Sequence, residues 1–124
     1  MEFYVYICNM HSSELVKGTL KTIVLKLLKE KGKMYGYEIT QSVKALSRDS
    51  IQLTEGSLYP SLHALELDGI LTTESVIVNG RARKYYQLTT VGKSIAEQKI
   101  EALKAFMTTI NDILLVDKKV LKNI

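Results

Sequence analysis

Apolar residues along this chain recur at helical spacing in three long stretches, broken by one stretch in which apolar and polar positions alternate. The first stripe runs through Leu15, Leu20, Ile23, Val24, Leu27 and Leu28. Ser12 or Ser13 can cap it, Glu14 sits in its positive first turn, and Gly32 stops it. Lys17, Lys21, Lys26 and Lys29 fall outside the stripe and form a solvated face. Tyr35-Gly36-Tyr37-Glu38 leads into a second helix, predicted from Ile39 to about Leu46, with Val43 and Leu46 continuing the buried side. Gly36 lowers helix propensity there, as expected where the chain turns or another backbone comes close. Tyr35 and Tyr37 are either half-buried packing or, for Tyr37 above all, a hydroxyl offered to a phosphate oxygen at a helix N-terminus. After the polar turn Ser47-Arg48-Asp49-Ser50, Ile51-Gln52-Leu53 alternates like a very short strand.

Thr54 to Gly69 holds the most informative helix. At about 100° per residue, Leu58, Leu62 and Leu65 lie within about 60° of one another and face the core. The opposite side is thereby fixed as Gly56, Pro60, His63 and Ala64, flanked by Ser57 and Tyr59. Small and hydrogen-bonding residues on that side permit close approach to another surface. Inside a helix Pro60 would cost about 3 kcal/mol. With Ser57 as the cap, Pro60 is the third helical residue and no bond is lost; with Thr54 as the cap, one bond is lost and the first turn bends. The candidate DNA-facing residues are Thr54, Gly56, Ser57, Tyr59, Pro60, Ser61 and His63. None of them is Arg or Lys, so charge has to come from elsewhere.

The alternating stretch supplies it. Leu71 to Val78 is rich in β-branched residues, Asn79-Gly80 is a strong hairpin signal, and Arg81 to Leu88 returns. A two-residue turn pairs Val78 with Arg81, Val76 with Arg83 and Leu71 with Leu88. Arg81 and Arg83 then share one face, while Leu71, Ile77, Ala82, Tyr86 and Leu88 line the other, giving a packed base and a basic tip. Arg81, Arg83 and Lys84 are candidate DNA contacts.

Thr89 or Thr90 caps a last helix, predicted from about Val91 towards Lys118. Ala96, Ile100, Leu103, Met107, Ile110 and Leu114 recur at three–four spacing, continued by Asp117 and Leu121; Phe106 and Ile113 widen the stripe. The stripe is expected to be a homodimer seam or to pack back on the first helix, and its breadth allows both. Glu97 and Glu101 lie near Lys93 and Lys104 as an exposed ion-pair pattern rather than a catalytic pair.

The chain has 124 residues, 46% of them hydrophobic, which fits one globular domain with a small core. Seventeen Lys and Arg against thirteen Asp and Glu give a formal charge of +4, compatible with a polyanionic partner. The single cysteine, Cys8, excludes an intramolecular disulfide and makes a reducing cytoplasm the simplest compartment. His11 and His63 have no cysteine cluster beside them, so neither a metal site nor a cofactor is expected. The opening Glu2 to Cys8 is apolar but lacks a basic flank and is too short for a secretion signal or a membrane span. Residues 1–11 are taken as an extension. Ser57 lacks the glycines of a nucleophile elbow, with Glu55 and Tyr59 in their places, and no phosphate-binding loop is present, so the chain is not expected to be an enzyme.

Helix, helix, short strand, helix, hairpin, long helix is the order of a winged helix-turn-helix. The fold class expected is mainly α with a small β-hairpin, divided into residues 12–89 as a winged DNA-binding domain and 90–124 as a C-terminal dimerisation helix. Lys17-Gly18-Thr19-Leu20, Met34-Tyr35-Gly36-Tyr37-Glu38-Ile39, Leu53 to Leu62, Leu65 to Leu71 and Arg81 to Thr89 stand in one order and spacing. On these motifs the chain resembles the PadR family of bacterial transcriptional regulators. The resemblance implies a homodimeric repressor whose winged domains bind double-stranded DNA at a roughly palindromic operator. The helix at 57–68 would enter the major groove, the hairpin at 80–84 would reach the backbone or minor groove, and Tyr37 would touch phosphate. It also implies release by a small, frequently aromatic or cationic effector. With no tryptophan, a stacking pocket at the dimer interface would have to use Phe106, Met107 or tyrosines. The alternative is a winged-helix dimer that binds protein or a ligand without sequence-specific DNA binding.

Overall fold

The computed structural model describes residues 11–124; residues 1–10, with Cys8 and nearly all of the expected extension, lie outside the described residues. The first stripe forms α1 (Ser13–Lys31), and the Ser12 hydroxyl caps it by accepting from the Glu14 amide at 3.2 Å. Gly32, at φ 94°, closes it by donating to the Leu28 carbonyl. Leu20, Val24, Leu25 and Leu28 are buried, whereas Leu15 is exposed because the helix projects past the core at its start.

The chain then enters β1 (Lys33–Tyr35), a strand not foreseen from the sequence, and passes directly into α2 (Gly36–Leu46). Three residues are too few for alternation to register, and β1 exists because the edge of a later strand is there to receive it. Ile51-Gln52-Leu53, expected as the short strand, pairs with no strand, and Leu53 is partly packed on the core. The helix α2 starts three residues before the predicted Ile39, and it carries Ile39, Thr40 and Val43 into the core. Leu46 is 74% exposed rather than buried, since the last turn runs beyond the core.

Thr54 caps α3 (Glu55–Leu67): its Oγ1 accepts from the Ser57 amide at 3.1 Å. Leu58, Leu62 and Leu65 are fully buried, as their spacing requires. Pro60 therefore lies inside the helix, where the Gly56 carbonyl loses its amide partner. The hairpin follows as β2 (Leu71–Val78) and β3 (Arg81–Leu88) in the register the turn dictates, with Asn79 and Gly80 both at positive φ. The sheet order is β1-β3-β2, all antiparallel, so the expected two-stranded hairpin is a three-stranded sheet. Leu71, Tyr86 and Leu88 bury the base, but Ile77 is 71% exposed and Ala82 is also exposed, because the tip extends past anything that could cover that face.

Thr89 caps α4 (Thr90–Leu114) by accepting from the Gly92 amide at 2.9 Å, while its hydroxyl donates to the Gly69 carbonyl at 2.7 Å. Gly92 is required here: a Cβ would stand 2.0 Å from the Ile70 carbonyl oxygen. Ala96 lies in the main core and Ile100 is buried on the same side of α4, which packs against α1. The last helix stops at Leu114 rather than near Lys118; Asp117 then caps a separate short turn, α5 (Lys118–Leu121).

Candidate nucleic-acid interface

Burial of Leu58, Leu62 and Leu65 turns Gly56, Pro60 and His63 outward, with Ser57 exposed and Ser61 half-buried on one flank. At the entry, the Thr54 and Ser57 hydroxyls are already engaged in capping: Ser57 Oγ donates to the Thr54 carbonyl at 2.9 Å. Each still has a lone pair to offer. Tyr59 lies on the other flank, 43% exposed, against the start of α2. A Cβ on Gly36 would sit 2.8 Å from the Tyr59 hydroxyl, so what comes close to this glycine is a side chain rather than another backbone, and the glycine is the notch that admits the ring. Burial, and then the Glu55 carboxylate 3.5 Å from the hydroxyl, push the Tyr59 pKa up.

Tyr37 is the second residue of α2 and 54% exposed. Its ring stacks near Tyr35 at 6.5 Å, and Tyr35 meets Tyr85 edge-on at 5.5 Å. The pairing of β1 with β3 puts Lys33, Tyr35, Arg83 and Tyr85 on the outer face of the sheet. There Arg83 lies over the Tyr35 ring and Lys33 Nζ lies 5.6 Å from the Tyr85 ring. The Tyr85 hydroxyl beside Arg83 is the first cause of a raised guanidinium pKa.

Lys84 occupies the opposite face. Its Nζ is 3.5 Å from Glu66 Oε1 and 5.4 Å from the Tyr86 ring, and Glu66 Oε2 also accepts from Thr73 Oγ1 at 3.1 Å. Arg81, at the tip, has no ion pair among the described residues. The three wing cations are thus in three different situations. Strict alternation along β3 separates Lys84 from Arg81 and Arg83 and could have been read from the sequence. The Glu66 partnership could not, since the partners stand 18 positions apart in the chain.

On α4, Ala96 and Ile100 belong to this chain's own interior and are unavailable to a partner. Leu103 is half-buried, and Phe106, Met107, Ile110, Ile113 and Leu114 are exposed, which leaves an apolar run uncovered on the lower half of the helix. Among the described residues no helix is long and apolar enough to cross a membrane.

Residues 24–98 match the transcriptional regulator PadR-like family. A transcriptional regulator of Mycobacterium tuberculosis is 39% identical over 71 residues, which cover 57% of this chain and 64% of that protein. Among solved structures, a transcriptional regulator from Clostridium thermocellum superposes with a TM-score of 0.74 at 30% identity, covering 86% of this chain and 99% of the other. A PadR-like transcriptional regulator from Bacillus cereus superposes at 0.71 with 25% identity, covering 85% and 100%.

Proposed function

This chain belongs to the PadR-like family of transcriptional regulators, and on that premise we propose that it is a sequence-specific repressor that binds a roughly palindromic operator as a homodimer in the cytoplasm. The observation that carries the reading is the outward face of α3, Gly56, Ser57, Pro60 and His63, set beside a hairpin that ends in Arg81. The small residues let the helix backbone sink towards base edges, and the hairpin supplies the charge that attracts phosphate. Thr54, Tyr59 and Ser61 border that face, and Tyr37 offers its hydroxyl to the backbone at the start of α2.

The exposed run from Phe106 to Leu114, with half-buried Leu103 at its edge, is the seam that places two such units on one duplex. Two copies joined there present two α3 helices to successive major grooves, about 34 Å apart. Selection of bound duplexes from a random pool at physiological salt tests the reading. A palindrome with half-sites one turn apart is the expected product. Enrichment of no sequence sinks the repressor and leaves a winged dimer that recognises protein or a small molecule.

A further inference from the structure

We propose that Glu66 is a positioning residue for DNA recognition, its carboxylate bracketing the hairpin to α3 and so fixing how far the wing stands from the groove-facing residues. The inference rests on the DNA-binding reading above. Glu66 lies near the end of α3 on the flank that faces the sheet, with its side chain 30% exposed. Both carboxylate oxygens are engaged: Oε2 accepts from Thr73 Oγ1 at 3.1 Å, and Oε1 pairs with Lys84 Nζ at 3.5 Å. Thr73 is on β2 and Lys84 on β3, two residues apart in register and on the same face, since Thr73 opposes Tyr86 and Ser75 opposes Lys84. One side chain therefore ties both strands of the hairpin to the recognition helix.

The bracket lies at the upper edge of the hairpin's packed base: Thr73 is level with buried Tyr86, while Lys84 is level with exposed Ser75. The hairpin's apolar anchors, Leu71, Tyr86 and Leu88, reach no higher, and Ile77 and Ala82 above them face solvent. An exposed ion pair contributes little to the stability of the fold, so its consequence here is geometric. A carboxylate on a DNA-binding helix also repels phosphate, and the cation facing it offsets that repulsion locally. Lys84 is thereby committed to Glu66, and the wing reaches DNA through Arg81 and Arg83.

The test compares Glu66→Gln, Glu66→Ala and Thr73→Val in the full chain. The readout is the ratio of affinities for the selected operator and for a scrambled duplex of the same length, at one salt concentration. Removing a negative charge raises both affinities and cancels in the ratio, whereas misplacing the wing lowers it. Glu66→Ala and Thr73→Val are expected to lower the ratio about tenfold, the size of one lost base-pair match. Glu66→Gln, whose amide oxygen still accepts from Thr73 but whose amide nitrogen cannot accept from Lys84, should keep part of the discrimination that Glu66→Ala loses. Unchanged ratios in both Glu66→Ala and Thr73→Val overturn the bracket, and so does an equal loss in Glu66→Gln. Thr73→Val keeps the shape of the strand and carries the test if Glu66→Ala does not fold. A parent chain that discriminates no operator fails the DNA reading itself; a parent that discriminates, with variants that do so equally, fails the bracket alone.

Discussion

The guanidinium carbon of Arg83 lies 4.1 Å from the centroid of the Tyr35 ring. The two residues are diagonal neighbours on paired strands, since Tyr35 opposes Tyr85 two positions along β3. Tyr35 also precedes α2, where Tyr37 is exposed, so the stack joins that helix start to the wing. Cation–π contacts at exposed sites are worth about 0.5–1 kcal/mol. Tyr35→Ala should therefore weaken DNA binding roughly two- to fivefold by releasing Arg83, while Tyr35→Phe, which keeps the ring, should match the parent chain. Equilibrium titration of a labelled operator distinguishes them.

Arg81 and Arg83 are expected to act through phosphate. Replacing either with Ala should lower affinity for operator and non-operator DNA alike and reduce the slope of log affinity against log salt by about one. A titration series across salt concentrations measures both quantities. An unchanged slope removes that arginine from the interface.

Two glycines should respond differently to alanine. At Gly92 the added methyl meets the Ile70 carbonyl oxygen at 2.0 Å, a backbone atom that no rotamer change can move aside. Gly92→Ala should cost about 3 kcal/mol, the upper end for overpacking. At Gly36 the obstacle is the tip of Tyr59, 2.8 Å away, and helix propensity gains up to about 1 kcal/mol in return. Gly36→Ala should be milder, and Tyr59→Phe in the same chain should recover part of the loss. Urea unfolding of the single and double variants provides the comparison.

Phe106 and Met107 are each 60% exposed in the protomer, so charging them should leave its fold intact. In the proposed dimer, Met107→Glu or Ile110→Glu should give a folded monomer in sedimentation equilibrium and lower operator affinity at least tenfold, because contact with the second half-site would be lost. A variant that remains dimeric removes this run from the seam.

Much of this architecture was legible in the sequence because it depends on local repetition. Leu58, Leu62 and Leu65 determined the buried side of α3, and Asn79-Gly80 determined the register that pairs Leu71 with Leu88. What escaped depends on distant partners. The strand Lys33–Tyr35 exists because β3 offers an edge; Ile51–Leu53 alternates more clearly and pairs with no strand. Ile77 and Ala82 follow the apolar pattern but stand above the core, and Ala96 and Ile100 share a stripe with Phe106 yet are covered by α1. Spacing says which side chains share a face; it does not say where along the element the covering ends. The division of Arg83 to Tyr35 and Lys84 to Glu66 lies beyond pattern altogether.

The Thr89 hydroxyl, bonded to the Gly69 carbonyl, and the bare backbone of Gly92 against Ile70 leave no slack between the end of α3 and the start of α4. Such a joint makes α4 a lever arm: its 25 residues span about 37 Å. In the proposed dimer, a change of a few degrees in the angle at which two such arms cross would alter the gap between the reading heads by several ångströms. In that dimer the hinge-free elbow would make the packing of Phe106, Met107 and Ile110 the ruler for the operator's half-site spacing.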